Sequence, residues 1–380
     1  MPFIGNKPSA VPLTSADIAD GIITSAKIVD GTIVNSDIST TSAITLNKLS
    51  GNPNFRNIVI NGDMQVAQRN TSVASITGDG YYTLDRFSLA LSSLGTWTMS
   101  QSTDVPSGYG FANSLKLDCT TADASPSASD AMYLQTVFEG QNLQYLKKGT
   151  ANALPLTLSF WVKSTKTGTF IVELFDSNNT RQISKSYTAN TTNTWEFKTI
   201  TFSGDTTGAF TNNNGASLYL VFWLGAGSNF TSGTLNTSWA SNTNANRAVG
   251  QVNCADSTSN DFLITGVQLE AGTSATDFEF LPYDVDLARC QRYFKKLQTY
   301  SFDGYAGASG QFMYILFQLD PPMRASPTVT AGSNGGGTSN ASAISAIESS
   351  TIGFSYRITS SAGGRFYSLT NTGATADAEL

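Results

Sequence analysis

Histidine is absent from this 380-residue sequence, and charged residues are scarce. Asp, Glu, Lys and Arg make up 13% of the chain, about half their share in an average soluble domain. Without histidine, Ser-His-Asp and Cys-His triads are excluded, and the commonest protein ligand of zinc is missing. Neutral polar residues (Ser, Thr, Asn and Gly) take the place of charge, a composition typical of β-strand surfaces and tight turns.

Basic clusters and cysteine pairs are missing as well. The formal net charge is −6, and Lys and Arg form no patch, so the electrostatic footprint of a nucleic-acid-binding protein is lacking. The three cysteines, Cys119, Cys254 and Cys290, are far apart in the sequence. An odd number at wide spacing is not a disulfide framework, and we expect buried free thiols.

Long apolar runs are also absent. The longest, residues 218–224, is far shorter than the roughly 20 residues that a membrane helix needs. It predicts a strand buried on both faces. The first seven residues lack the apolar segment of a signal peptide, so we expect neither secretion by that route nor membrane insertion.

The N-terminal region contains a ten-residue repeat. Residues 14–23 and 24–33 are two copies with an Asp-Gly pair in each, and a degraded third copy follows. A hydrophobic period of five fits neither a helix nor a single strand, but it fits short strands separated by turns. Such units need neighbours to bury their apolar side, which predicts a trimeric stem; the alternative is a flexible tail. The stem residues would be Ile18, Ile23, Ile28, Ile33 and Ile38.

The central block, from residue 54 to about residue 282, alternates β-rich runs with polar turns. Period-two patterning at residues 156–162, 169–175 and 195–202 indicates strands, and many short strands without a long helix predict a sandwich. The tryptophans in these patterns, Trp161, Trp195 and Trp223, are interpreted as core packing residues.

Several motifs in this block resemble one family. They are Asn-Ile-Val-Ile-Asn-Gly-Asp-Met at residues 57–64, Tyr-Thr-Leu-Asp-Arg-Phe at 82–87, Ser-Phe-Trp-Val-Lys-Ser at 159–164 and Ile-Thr-Gly-Val-Gln-Leu-Glu-Ala-Gly at 264–272, with Ala-Thr-Asp-Phe-Glu at 275–279. In this order they resemble the jelly-roll domain of tailed-phage tail fibres, which is related to carbohydrate-binding modules. The resemblance implies a β-sandwich and a virion tail protein, and it allows a structural calcium ion, although no acidic loop is dense enough to locate one. It does not specify a ligand.

Residues 284–297 are the best helix candidate. An apolar stripe at heptad-like spacing consists of Leu287, Cys290, Phe294 and Leu297, and it fits either a three-helix collar or a helix packed on its own sandwich. The segment Ala-Arg-Cys-Gln-Arg-Tyr-Phe at 288–294 and the later Pro-Met-Arg-Ala-Ser-Pro-Thr at 322–328 also resemble tail-fibre segments. Residues 298–380 are predicted to form a small β domain.

No pattern of catalytic residues stands out. Glycoside hydrolysis needs two carboxylates at a suitable separation, but the candidates are scattered: Asp85, Glu139, Glu173, Glu196 and Glu270. Binding is better supported, since aromatic and neutral polar residues are abundant. Trp239 and Tyr305 lie in polar, turn-rich segments and are predicted as sugar platforms, although a loop tryptophan can equally cover the edge of its own domain.

Together these features predict a mainly β, homotrimeric, non-enzymatic tail-fibre subunit that needs no cofactor. Its parts would be a particle-anchoring segment and stem (1–50), a jelly roll (51–283), a helical collar (284–297) and a tip domain (298–380). The expected partners are other virion tail proteins, bound through the N-terminus, and host-surface polysaccharide. The alternatives are a fibre adaptor or capsid decoration protein that binds only viral partners and, less favoured, a glycan depolymerase.

Overall fold

The computed structural model describes residues 55–297, 300–334 and 338–380, together with residues 23, 24, 28, 29, 32, 33 and 37. The chain divides into two compact units, Met1–Ser50 and Gly51–Leu380. In the first unit, Ile23, Ile28 and Ile33 are exposed. Ile18 and Ile38 lie outside the described residues, so the stem remains a prediction.

Twelve strands build two antiparallel sheets in the second unit. In chain order they are β1 (Ser72–Ile76), β2 (Ser88–Ser92), β3 (Thr96–Ser102), β4 (Ser114–Thr121), β5 (Ala131–Glu139), β6 (Leu156–Ser164), β7 (Gly168–Asp176), β8 (Arg181–Ala189), β9 (Glu196–Phe202), β10 (Ala216–Ala226), β11 (Ala240–Ser241) and β12 (Asp261–Ala271). The first sheet has the order β1-β3-β4-β12-β6-β9, and the second has the order β11-β8-β7-β10-β5-β2. A short helix, α1 (Ser228–Thr231), follows β10.

The two sheets pack face to face. Alternate side chains of each strand point inward, so Phe160 and Phe262 of the first sheet meet Phe170 and Phe222 of the second in one continuous core. This arrangement confirms the prediction of a mainly β chain with sandwich packing.

The apolar run at residues 218–224 forms a buried strand, as predicted. It lies within β10, a central strand between β5 and β7, whose residues from Leu220 to Leu224 are all buried. Its outward-facing Trp223 is fully buried beneath the α1 loop, where its Nε1 donates to Glu173. The interpretation of Trp223 as a packing residue is therefore also confirmed.

The helix predicted at residues 284–297 is shorter than expected. Helix α2 (Tyr283–Gln291) ends at Gln291, and Phe294–Lys296 is a strand instead. The stripe of Leu287, Cys290, Phe294 and Leu297 is therefore wrong as a helical stripe, because only its first two residues are helical. Cys290 is fully buried inside its own chain, in agreement with a helix packed on its own sandwich.

The C-terminal part begins with that strand. Its elements are β13 (Phe294–Lys296), β14 (Tyr300–Ala306), β15 (Phe312–Gln318), β16 (Thr328–Thr330), β17 (Ser333–Asn334), β18 (Thr338–Ser339), β19 (Ala341–Ser350), β20 (Gly353–Ser360), β21 (Gly364–Thr372) and β22 (Thr375–Asp377). β22 lies between β13 and β16, β21 pairs with β14, β17 and β18, and β20 lies between β15 and β19. The first of these strands thus begins four residues before the predicted start of the tip domain at residue 298.

Buried ion pairs join the C-terminal part to the sandwich. Arg86, 1% exposed, donates to Glu379 and to the carbonyl of Val137. Its guanidinium lies 3.5 Å from the ring centroid of Tyr293. Arg69 reaches the same carboxylate at 3.4 Å. Among the described helices, none has the length and apolar character required to cross a membrane.

Candidate functional site

The outward face of β6 carries Trp161, which the sequence analysis interpreted as a core packing residue. Phe160 and Val162 point into the sandwich, so the residues that alternate with them point out of it. Trp161 is half-buried on this outer face and lies opposite Phe197 of β9. The interpretation of Trp161 as a core residue is therefore wrong.

Three rings form the first side of the site. The ring centroids of Trp161 and Phe197 are 5.3 Å apart, and Tyr109 lies 4.3 Å from Trp161 on the other side. Tyr109 is 56% exposed and Phe197 is 48% exposed. These rings present apolar area to solvent, which is costly unless a ligand covers it.

A second aromatic cluster forms the opposite wall. Phe111 contacts Phe278 and Phe280, each at 5.1 Å between ring centroids. The two clusters enclose a groove of about 480 Å³. The other lining residues are small or polar: Gly108, Ser159, Gly266, Ala275, Thr276 and Asp277. We call this feature the aromatic groove.

Two side chains of β12 hold the second wall in place. Gln268 accepts a hydrogen bond from the backbone N–H of Glu279, and Glu270 accepts one from that of Thr276, both at 2.8 Å. Both side chains are buried, and Gln268 also donates to Glu270 at 3.0 Å. The Val-Gln-Leu-Glu motif therefore positions the loop at residues 275–279, and with it the wall.

Gly266 forms part of the groove floor at a break in the strand register. The pairing of β12 with β6 shifts between Thr265 and Gln268. Gly266 has a φ of +61°, and a Cβ there would lie 2.6 Å from the ring of Phe111. Only glycine satisfies both the backbone and the close contact.

One end of the groove has a closed polar network. Asp104 accepts hydrogen bonds from Lys163 at 2.6 Å and from Trp195 Nε1 at 2.9 Å. Burial raises the pKa of Asp104, but the hydrogen bonds from Lys163 and Trp195, together with the positive charges of Lys163 and Lys116, hold the pKa below its ordinary value. The interpretation of Trp195 as a core residue is wrong, since it is only half-buried and its indole donates to this carboxylate.

The two predicted sugar platforms lie outside the groove lining. Trp239 is half-buried against the sandwich core, and its Nε1 donates to the carbonyl of Ser203 at 2.7 Å. This is the edge-covering role that the sequence left open. Tyr305 lies on β14 rather than in a loop, and it is 82% exposed.

The carboxylates considered as catalytic candidates are engaged in separate ion pairs and hydrogen bonds. Glu139 pairs with Arg292 and Glu173 with Arg247, each at 2.9 Å. Glu270 supports the wall loop, as described above. Asp85 accepts from the backbone of Gln68, and Glu196 accepts from Lys198.

A second cavity, of about 290 Å³, lies between the sandwich and α2. Its charged lining residues include Arg86, Glu139 and Arg292, which are engaged in the ion pairs already described. Its polar groups thus hold the chain together, and the aromatic groove is the better candidate for binding.

In the described part of the chain, no group of three or more acidic or cysteine side chains is arranged to hold a metal ion. The calcium ion that the resemblance allows therefore has no cluster of three carboxylates to bind it among these residues.

The signal for Trp161 was present in the sequence. Leu158, Phe160 and Val162 occupy one face of the strand. Trp161 lies on the opposite face, together with Lys163 two residues later. A lysine on one face of a half-buried strand marks that face as the outer one. Tyr109 and Phe280, by contrast, lie outside strands and carry no local signal.

No protein-family model matches the chain, and no curated protein matches it. Among solved structures, it is similar to the enzymatically active domain of bacteriophage CBA120 tailspike protein 4, with 14% identity and a TM-score of 0.30 over 57% of this chain and 22% of that one. It is also similar to a putative sugar binding protein from Bacteroides thetaiotaomicron VPI-5482, with 12% identity and a TM-score of 0.31 over 57% of this chain and 100% of that one. A third similar structure is TmCBM61 in complex with β-1,4-galactotriose, with 9% identity and a TM-score of 0.28 over 57% of this chain and 99% of that one. These TM-scores are too low to support an argument about function.

Proposed function

We propose that this chain binds glycan through the aromatic groove, as a tail-fibre subunit that attaches a phage particle to its host. The observation that carries the proposal is the exposed row of Tyr109, Trp161 and Phe197 beside a second aromatic wall. Flat aromatic faces pack against the C–H faces of sugar rings, and neutral groups such as Ser159 and Thr276 can hydrogen-bond to hydroxyls. The placement in a phage tail rests on the sequence motifs.

Binding without cleavage is part of the proposal. Hydrolysis of a glycosidic bond uses two carboxyl groups about 5–9.5 Å apart. Asp277 is the one carboxylate among the described residues that line the groove. The nearby carboxylate of Asp104 is engaged by Lys163 and Trp195.

A homotrimer would strengthen such a shallow site. Three linked copies convert weak single contacts into useful avidity. The isoleucine repeat supports self-association, and so does an apolar stripe on the edge strand β15, where Phe312, Tyr314 and Leu316 are 55%, 58% and 79% exposed. The same stripe favours the second candidate function, an adaptor that binds only viral proteins.

The test is binding and turnover measured together. Purified protein is incubated with bacterial host cells and their surface polysaccharide, and both bound protein and released reducing sugar are followed. We expect saturable binding without sugar release. Trp161→Ala should weaken binding at least about tenfold, which is ~1.4 kcal/mol, because it removes the centre of the aromatic row.

Tyr305→Ala is the control, since it removes an exposed aromatic ring that lies outside the groove lining. It should bind like the wild type. Unchanged binding by the Trp161 variant would exclude the groove as the site. Binding of viral proteins but of no host material would favour the adaptor, and release of sugar would favour the depolymerase.

A further inference from the structure

The charges around the aromatic groove are unevenly distributed. Among the groove-lining residues that the structure describes, Asp277 alone carries a charge. It is exposed and anchored through its backbone carbonyl, which accepts a hydrogen bond from Arg56 at 3.1 Å. Its carboxylate therefore adds negative charge to the groove without being needed to hold the wall.

Two cations that neighbour groove-lining residues, Lys163 and Arg56, each lie close to a carboxylate. Lys163 follows Trp161 on the same face of β6, and its Nζ lies 2.6 Å from Asp104. Arg56 lies 4.0 Å from the buried carboxylate of Glu270. An arriving anion would find no unpaired cation in the lining, and it would have to compete with an existing carboxylate for Lys163.

From this charge distribution we propose that the aromatic groove selects uncharged saccharides and rejects acidic ones; this inference rests on the glycan-binding function proposed above. An acidic sugar would lose hydration of its negative charge on entering the groove and would lie near the carboxylate of Asp277 without a compensating cation. Burial of such an unpaired charge is unfavourable. A neutral sugar avoids this cost and can donate its hydroxyl protons to the same carboxylate. Asp277 is thus a specificity-determining residue.

The test compares neutral and acidic polysaccharides on the purified full chain. Calorimetry at about 0.01 M salt, where charges act over about 30 Å, would measure β-glucan, galactan, mannan and dextran against polygalacturonate, alginate and hyaluronan. We expect at least one neutral polymer to bind and each acidic polymer to bind at least about tenfold more weakly. The difference should shrink at about 1 M salt, where the screening length is about 3 Å.

Substitutions at Asp277 provide a direct readout of the charge. Asp277→Asn should reduce the difference between neutral and acidic polymers, and Asp277→Lys should raise the affinity for the acidic ones at least about tenfold. Neither change should alter the unfolding midpoint, since the carboxylate is exposed. Trp161→Ala should weaken the binding of every polymer that binds at least about tenfold.

The outcomes separate the two proposals. If Trp161→Ala weakens binding as expected but acidic polymers bind the wild type as tightly as neutral ones do, the glycan-binding function stands and the charge selection is refuted. If Trp161→Ala changes nothing, the groove is not the binding site and both proposals fail. If no polymer of either kind binds, the glycan-binding function fails first and the selectivity falls with it.

Discussion

Gly266 occupies the point where the register of β12 shifts, next to the ring of Phe111. Gly266→Ala would force a side chain into a left-handed backbone and to within 2.6 Å of that ring. We expect the free energy of unfolding to fall by about 2–3 kcal/mol, and the groove to bind more weakly because the wall must move. Denaturant unfolding and calorimetry measure the two effects.

Gly310 offers a matched control for this substitution. Its φ is +81°, and a Cβ there would meet nothing within 4 Å. Gly310→Ala should therefore cost only the backbone strain, about 1 kcal/mol, and leave binding unchanged. Equal losses in the free energy of unfolding at the two positions would show that the ring of Phe111 can move away from the new side chain at no energetic cost.

Asp63 is a buried carboxyl group with an unmet hydrogen-bonding requirement. It is 5% exposed, and its Oδ1 has no hydrogen-bond partner. Burial, with the nearby Asp286, raises the pKa of Asp63 to about 6, although a hydrogen bond from Gln65 opposes the shift. Asp286 lies on helix α2, and the cation of that helix closest to it is Arg289, at 4.0 Å.

The raised pKa predicts a pH-dependent stability. Because the folded chain takes up this proton more readily than the unfolded chain, the stabilisation is complete below pH 3.8 and is lost as the pH rises through about 6. Asp63→Asn should therefore stabilise the protein at pH 7, by up to about 3 kcal/mol, and bring no gain at pH 4. Denaturant unfolding at the two pH values measures this difference.

Asp277→Asn is the control for that experiment, because it makes the same chemical change at an exposed position. Its effect on the free energy of unfolding should be close to zero at both pH values. An Asp63→Asn variant less stable than the wild type at pH 7 would show that the carboxylate has a compensating partner in solution.

At the level of elements, β22 and the residues after it link the C-terminal strands to the sandwich. Glu379 is 6% exposed at its side chain and pairs with the fully buried Arg86. Glu379→Gln would leave Arg86 buried without a counter-charge, and loss of one partner of a buried pair costs about 3–5 kcal/mol. Thermal and urea unfolding should show a loss of this size.

The pair of Arg365 and Asp303 provides the comparison, because both side chains are largely exposed. Asp303→Asn should leave the unfolding transition nearly unchanged, since solvent screens such pairs. If Glu379→Gln behaved in the same way, water would have to reach Arg86 in the folded protein.

Elements with a strong local pattern could be predicted from the sequence, and those defined by a distant partner could not. The buried run in β10 was predictable because seven consecutive apolar residues can only be covered on both sides. Helix α2 was predicted too long because Phe294–Lys296 pairs with Thr375–Asp377, about eighty residues later. The groove was missed for a related reason, since its walls come from β6, β9 and two separate loops.

At the level of the whole molecule, the exposed stripes predict self-association. We expect light scattering at micromolar concentration to give a species three times the mass of the 40.3 kDa chain. Leu316→Asp would place a charge in the middle of the β15 stripe and should weaken assembly if that stripe is an interface. A monomer in the wild type would rule out the proposed trimer.

Replacing Ile23 and Ile33 together by Asp tests the N-terminal repeat in the same assay. Loss of the trimer in this variant alone would assign assembly to the stem. Loss in the Leu316 variant alone would assign it to the C-terminal strands. Variants that all remain trimeric would place the contact elsewhere on the chain.

The position of β12 has a consequence for synthesis. This strand lies between β4 and β6, yet it is the last of the twelve sandwich strands to be made. Both neighbours leave the ribosome well before it; at about 5–20 residues per second, β6 waits roughly 5–20 s for the hundred or so residues that follow. During that interval each has an open hydrogen-bonding edge, which attracts other chains. The growing polypeptide should therefore depend most on chaperones just before residue 271 emerges, and ribosome profiling of chaperone-bound nascent chains would show this as a peak.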